Sequence, residues 1–415
     1  MTPSSTGRGY ALRTASAADW DAMYRADARA FGFPYREEDR DAQLPLTEFD
    51  RMLLAEDGAE IVGMAGAYSL EMAVPGGMQP MAGVTWVSVS PTHRRQGILT
   101  SLMRTQLTEQ HEQEREPVAA LWASEAAIYG RFGYGLASTS LALRIPRDGT
   151  ATLAGPGEDD LAVWFADVTG TRGEIAAVHE AQVAERPGQF RYDSRWWDAL
   201  LADPEHRRGG ATELRCLLAH DGRRTRGYAL FATAGGWHDG LPTGELRVRQ
   251  LTALDPGAYA ALWRTLLGTD LVSAVVTHNR PVDDPLLHLL LDIRRAAPRV
   301  SDNLWVRVVD VDRGLGARTY ASPVDIVLDV EDALCPWNAG RWRLSGDEKG
   351  ATCERTTDSP DLTVTARDLG AAYLGGTNLT ALGGAGRVRE HRTGALTAAS
   401  RAFLNDLAPW CPTIF

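Results

Sequence analysis

The segment from Thr85 to Leu107 constrains the fold more than any other stretch of the chain. A strand-like run, Thr85-Trp86-Val87-Ser88-Val89-Ser90, stops at Pro91 and gives way to Thr92-His93-Arg94-Arg95-Gln96-Gly97. Ile98, Leu99, Leu102, Met103 and Leu107 then recur at helical spacing, which predicts a strand, a basic turn and an amphipathic helix in direct succession, with Arg94 to Gly97 on the helix's first turn. The first turn of a helix leaves backbone N–H groups unpaired at the positive end of the helix dipole, and Gly97 has no Cβ to hold an anion away. Such a cradle suits a pyrophosphate. The bland alternative is a solvated basic turn that only starts a helix.

Two common nucleotide sites are excluded by what the turn lacks. It has neither the Gly-Lys-Ser/Thr of a Walker loop nor the G-x-G-x-x-G of a dinucleotide fold. Downstream, Ala120-Leu121-Trp122-Ala123-Ser124 reads as a buried strand, followed by Glu125-Ala126-Ala127-Ile128-Tyr129-Gly130-Arg131-Phe132-Gly133-Tyr134-Gly135. Were the bound anion part of a thioester donor, a phenol, with a pKa near ~10, could hydrogen-bond and protonate the departing alkyl thiolate, near ~8.5. Tyr129 is the candidate acid and Tyr134 its competitor; both also fit as half-buried aromatics of a glycine-punctuated turn.

Arg94-Arg95-Gln96-Gly97-Ile98-Leu99 resembles the R/Q-x-x-G-x-G/A signature of the GCN5-related N-acetyltransferases, whose turn amides bind the pyrophosphate of acetyl-coenzyme A. Leu99 departs from that pattern, which prefers a small residue. Together with Ser90-Pro91-Thr92-His93-Arg94-Arg95, the string Ala123 to Gly135 is similar to one branch, the Eis (enhanced intracellular survival) acetyltransferases of actinobacteria, and the resemblance covers essentially the whole chain. It implies an α/β (α+β) architecture of three regions: an active acetyltransferase fold over residues 1–150, a degenerate second copy over 151–300, and a sterol-carrier-protein-like domain over 301–415. It implies acetyl-CoA bound at Val87, Val89, Arg94, Arg95, Gly97, Ile98 and Leu99 with Ser124 nearby, Tyr129 as general acid, and the α-carboxylate of Phe415 as base. It also implies an acceptor pocket at Phe33, Trp122, Asp292 and Ile414, and assembly as a homohexamer. Phe33 and Ile414 stand where the family has acidic residues, which predicts a less anionic pocket. Asp292 also fits as an ordinary surface carboxylate.

The base matters because an aliphatic amine with a pKa near ~10.4 is almost entirely protonated at pH 7, and only the neutral form attacks a thioester. A terminal carboxylate near ~3.5 needs desolvation or a bridging water to act. The apolar tail Leu407 to Phe415 fits a docked end, against the general tendency of termini to fray.

A length of 415 residues suggests two or three domains. No run of some eighteen apolar residues and no signal-peptide core at Met1 to Gly9 is present, so a cytoplasmic protein without a membrane partner is expected. Cys216, Cys335, Cys353 and Cys411 are widely spaced, and His111-Glu112 lacks a zincin's second histidine, so no metal is expected and the thiols should be buried and reduced. A net charge of −11 argues against nucleic-acid binding and favours a cationic acceptor.

After a polar connector at Ala154 to Asp160, the order of elements repeats: a helix near Ile175, a strand at Gly227 to Phe231, and a strand at Leu246 to Ala253 before a helix at Tyr259 to Leu267. The turn between that last pair, Leu254-Asp255-Pro256-Gly257-Ala258, carries a carboxylate that would repel a pyrophosphate, so this copy should be structural. From about Val300, alternating strands at Trp305 to Val311 and Val324 to Val330 and a helix at Leu396 to Asp406 mark the third region. The expected function is acetyl transfer to a primary amine of an aminoglycoside or other polyamine. The alternatives are a protein-lysine acetyltransferase and a catalytically weak carrier of ligand or lipid.

Overall fold

A computed structural model describes residues 9–147, 153 and 161–415; the amino-terminal residues 1–8, the connector Ala154 to Asp160, and the cut expected near residue 150 lie outside it. The described chain divides into two compact units. One holds the residues up to Ser138, Asn303–Asp406 and Thr413–Phe415; the other holds Thr139–Asp302 and Leu407–Pro412.

In the first unit a seven-stranded sheet runs in the order β1 (Ala11–Thr14), β2 (Leu53–Asp57), β3 (Glu60–Val74), β4 (Gly77–Val89), β5 (Val118–Trp122), the strand Leu304–Val308, and β6 (Gly135–Leu136). Only β4 and β5 are parallel; every other neighbouring pair is antiparallel. Leu304–Val308 was expected to open the third region and instead fills the place beside β5, with Leu304 opposite Trp122 and Val308 opposite Val118. Its sequence, Leu-Trp-Val-Arg-Val, is buried throughout, as a strand flanked on both edges requires.

A 3-10 turn at Ala17–Asp19, with a capping box between Ser16 and Asp19, leads into helix α1 (Trp20–Phe31), which ends at Gly32 in the left-handed region, φ 75°. Its buried face, Trp20, Met23, Tyr24, Asp27 and Ala28, follows helical spacing with one carboxylate in it. A short helix α2 (Glu37–Gln43) follows, and α3 (Ile98–Glu112) buries Ile98, Leu102, Met103 and Leu107 against the sheet. Burying side chains of that size stabilises by about 1.5–3 kcal/mol each. A single turn, α4 (Ala126–Tyr129), follows β5. The same unit carries a five-stranded sheet ordered Gly350–Arg355, Gly340–Asp347, Val324–Glu331, Leu362–Thr365 and Arg389–Glu390, with a closing helix at Ala395–Phe403.

The second unit has its own seven-stranded sheet, ordered Arg299–Asp302, Thr139–Pro146, Ala274–Pro281, Glu245–Ala253, Thr225–Ala234, Arg215–His220 and Ala162–Ala166. Helix Pro256–Leu267 packs Leu262, Trp263 and Leu266 into its core. The tail is tied down inside this unit: Trp410 N–H donates to the Pro187 carbonyl at 2.8 Å, and Asn279 donates to the carbonyls of Cys411 and Pro412 at 3.0 and 3.1 Å. No described helix is long and apolar enough to cross a membrane. All four cysteines are buried and unbridged.

Candidate active site

Strands β4 and β5 touch through two residue pairs, Ala82 with Ala119 and Gly83 with Ala120, and then part, although β5 runs on to Trp122 and β4 to Val89. On its other edge β4 pairs with β3, but Thr85 to Ser88 on β4 oppose only Met64 to Gly66, a bulge of one residue. Trp86 sits in that bulge at φ 55°, a conformation costing a bulky residue about 1–3 kcal/mol unless its surroundings hold it. They do: its ring meets Trp20 at 5.4 Å and Tyr24 at 6.2 Å between centroids, and its Nε1–H donates to Tyr68 Oη at 3.1 Å. The result is a crevice whose β4 wall, from Thr85 to Val89, has no strand partner toward β5 among the described residues.

The basic turn is fixed by short local bonds. His93 N–H donates to the Ser90 carbonyl at 2.9 Å, the Thr92 hydroxyl joins His93 Nδ1 at 2.8 Å, and His93 Nε2 meets Asp57 at 3.2 Å. Arg95 and Gly97 take φ 63° and 88°, and α3 then begins with no side chain capping it. Its first hydrogen bond runs from Ser101 N–H to the Gly97 carbonyl at 3.0 Å, which leaves the amides of Ile98, Leu99 and Thr100 without an intrahelical partner. A Cβ built on Gly97 would meet nothing nearer than Tyr10 Oη at 3.9 Å, so the approach is open. Arg94 and Arg95 are exposed. The Ile98 side chain is 1% exposed and belongs to the core, so this residue has only its amide to offer; Leu99 is half-buried. These donors fit a pyrophosphate.

Of the two tyrosines, Tyr134 is fully enclosed and its hydroxyl has no hydrogen-bond partner among the described residues. Tyr129, 4% exposed, packs edge-on to Tyr134 at 6.0 Å and lies beside Ser124, which is itself exposed. Burial pushes the Tyr129 phenol up to about 12, against Ser124, which lowers it. It therefore carries its proton at neutral pH, as an acid must. Trp122, at the end of β5, holds a buried Nε1–H with no partner among the described residues.

A Cβ on Gly83 would lie 3.2 Å from Cδ2 of Phe415, so the last residue brings its ring to the point where β4 and β5 part. Neighbouring Ile414 is 70% exposed. Phe33 meets Tyr24 edge-on at 5.9 Å and lines a cavity of about 740 Å³ with Tyr35, Arg25, Arg29, Asp57 and Glu60. Asp292 belongs to the second unit, where its exposed carboxylate accepts the Arg294 amide at 3.0 Å and caps a short turn. Sequence reasoning missed Gly83, Trp86 and Asp27; a glycine and a tryptophan inside one strand run were the available signals for the first two.

The corresponding place in the second unit is built differently. Asp255 caps helix Pro256–Leu267 by accepting the Ala258 amide at 2.9 Å, and Arg226 binds its other oxygen at 2.8 Å. Glu245–Ala253 and Ala274–Pro281 pair in parallel through four positions, Glu245 with Ala274 to Val248 with Thr277. Past them the buried Arg280 donates to the Leu251 carbonyl at 2.9 Å and to Asp284 at 2.7 Å, and Tyr259 donates to the same carboxylate.

A strand split next to an uncapped helix with a basic turn defines the acetyltransferase class, and comparison with known proteins agrees. Acetyltransferase (GNAT) domain families match residues 11–137 and 188–308, and a sterol carrier protein domain family matches 311–412. An uncharacterized N-acetyltransferase of Streptomyces avermitilis is 48% identical over 95% of this chain and 97% of its own length. The N-acetyltransferase Eis of Mycobacterium tuberculosis is 35% identical over 94% of this chain and 95% of its own. The crystal structure of Eis1 from Mycobacterium abscessus superposes with a TM-score of 0.81 at 33% identity, covering 98% of this chain and all of that one. The chain belongs to the Eis family of N-acetyltransferases.

Proposed function

We propose that the protein moves an acetyl group from acetyl-CoA to a primary amine of a cationic acceptor by direct attack, with Tyr129 as acid and the Phe415 carboxylate as base. The observation that carries this reading is the parting of β4 from β5 at Gly83 and Ala120, with the open amides of α3 alongside. Acetyl-CoA supplies the acyl group as a thioester. Val87 and Val89 would hold the donor through their backbone; Arg94, Arg95 and the amides of Gly97 to Leu99 would take its pyrophosphate, with Ser124 near the sulfur end. Tyr129 holds a proton at Oη for the departing sulfur, and the Phe415 carboxylate accepts the proton of the attacking amine.

The acceptor wall supports a cationic amine by a route that does not need acidic residues. Exposed Phe33 and half-buried Trp86, joined through the buried Tyr24 ring, stand beside the bulge, and aromatic faces attract ammonium groups. Aminoglycosides and other polyamines are the proposed acceptors, with peptide lysines second and Trp122 and Ile414 as further acceptor contacts. A thiol-release assay with acetyl-CoA against aminoglycosides, small polyamines and a lysine peptide tests this. Amine-dependent release, lost in Tyr129→Phe and in a chain lacking Phe415, supports the assignment; cofactor binding without turnover of any amine favours a carrier. Light scattering on the intact protein measures the hexamer that we carry forward from the family.

A further inference from the structure

Asp27 is a carboxylate in the apolar face of α1, 9% exposed, with Oδ1 shut off from solvent and without a partner among the described residues. Beside it is Ser88, which is 7% exposed and lies opposite Met64 immediately past the Trp86 bulge. Val87 and Val89, on either side of Ser88, pack with the clusters that hold α3, so this stretch of β4 is gripped from both faces. A buried carboxyl with half its acceptors unused weighs against folding, and an apolar residue among Met23, Tyr24 and Ala26 would not.

We propose that Asp27 is a positioning residue for acetyl transfer: by accepting the Ser88 hydroxyl it fixes the path of β4 past the bulge, and with it the backbone of Val87 and Val89 that holds the acyl donor. The proposal rests on the acyltransferase reading above. A carboxylate is an acceptor only, so it orients the Ser88 hydroxyl one way; once protonated it can also donate, and that orientation is lost. Burial pushes the Asp27 carboxyl up to about 6, with Ser88 opposing. Tyr68 on β3 is the other titratable group that feels it, and burial raises that phenol too. Asp21, Arg25 and Arg29 of the same helix lie on its exposed side in ion pairs, Arg25 with Asp21 and Arg29 with Glu60; Asp19, before the helix, is paired with Arg13.

The test is calorimetric titration of the full chain with acetyl-CoA from pH 5 to 8, for wild type, Asp27→Leu, Asp27→Asn and Ser88→Ala, with thermal melts alongside. Asp27→Leu and Ser88→Ala should weaken binding about tenfold at pH 7.5, the worth of one charge-assisted hydrogen bond. Asp27→Asn, which keeps an acceptor oxygen but cannot titrate, should recover most of that loss. Wild type should lose affinity faster than Asp27→Asn as the pH falls through about 6. The folded-state value lies above the ordinary 3.8, so the ionised carboxyl disfavours the fold above pH 6; Asp27→Leu should raise Tm at pH 8 and not at pH 4. Gained stability with lost affinity is the signature of positioning. Variants that bind like wild type, with the same pH dependence, overturn the inference alone, whereas wild type that does not bind acetyl-CoA overturns the acyltransferase reading itself. If Asp27→Leu fails to fold, Asp27→Asn and Ser88→Ala decide.

Discussion

The two acetyltransferase copies in this chain begin their central helix in opposite ways. At Gly97 the first copy leaves the helix uncapped and its amides open; at Asp255 the second caps its helix with its own carboxylate. In the first copy the parallel strands part beside a bulge with no strand partner across the gap among the described residues, while in the second the buried Arg280 binds the Leu251 carbonyl beyond the paired stretch. One copy keeps the donors and acceptors that a ligand could use, and the other spends them on itself. The fold alone therefore does not make a site; the difference lies in which polar groups are left unsatisfied.

That contrast can be broken at several points. The largest effect should come from Tyr129→Phe, which removes a proton donor and should lower kcat by about 10²–10⁴-fold with little change in KM for acetyl-CoA; a full rate in this variant would remove Tyr129 from the mechanism. Arg280→Met in the second copy leaves Asp284 buried without its cation and should cost about 3–5 kcal/mol in urea unfolding. A loss below 1 kcal/mol would mean the pair is not what closes that copy. Gly97→Asp would give the first helix an acidic N-cap like that of the second. With the strain of φ 88° and a charge facing pyrophosphate, KM for acetyl-CoA should rise on the order of tenfold to a hundredfold. The smallest effect should be that of Asp255→Ala, a lost cap worth about 1 kcal/mol by thermal melting, with thiol release unaltered.

What the sequence disclosed was what neighbours along the chain decide. The run from Thr85 to Leu107 contains its strand, its breaker and its helix, so the end of β4 could be read within a residue of Val89; Arg94 to Gly97 were expected on the helix's first turn, whereas α3 starts at Ile98 and they form the turn before it. The same holds for Tyr129, carried by a short helix after β5. The acid at the start of the second copy's helix was visible as Asp255, but the closure beyond it was not, because Arg280, Leu251 and Tyr259 come together only through the sheet. The bulge at Trp86 depends on register with β3, and the burial of Asp27 depends on how α1 lies on the sheet. Phe415 acquired meaning from family resemblance alone; nothing in its composition points to Gly83.

The strand Leu304–Val308 lies between β5 and β6, and its partner β5 precedes it by more than 180 positions along the chain. During synthesis, then, the edge of β5 stays bare until nearly three quarters of the polypeptide has emerged. Loop closure over that distance slows folding, and an open strand edge in the meantime invites pairing with other chains. Expressing the first acetyltransferase copy alone would make that transient hazard permanent, so this copy has to be studied together with everything that follows it.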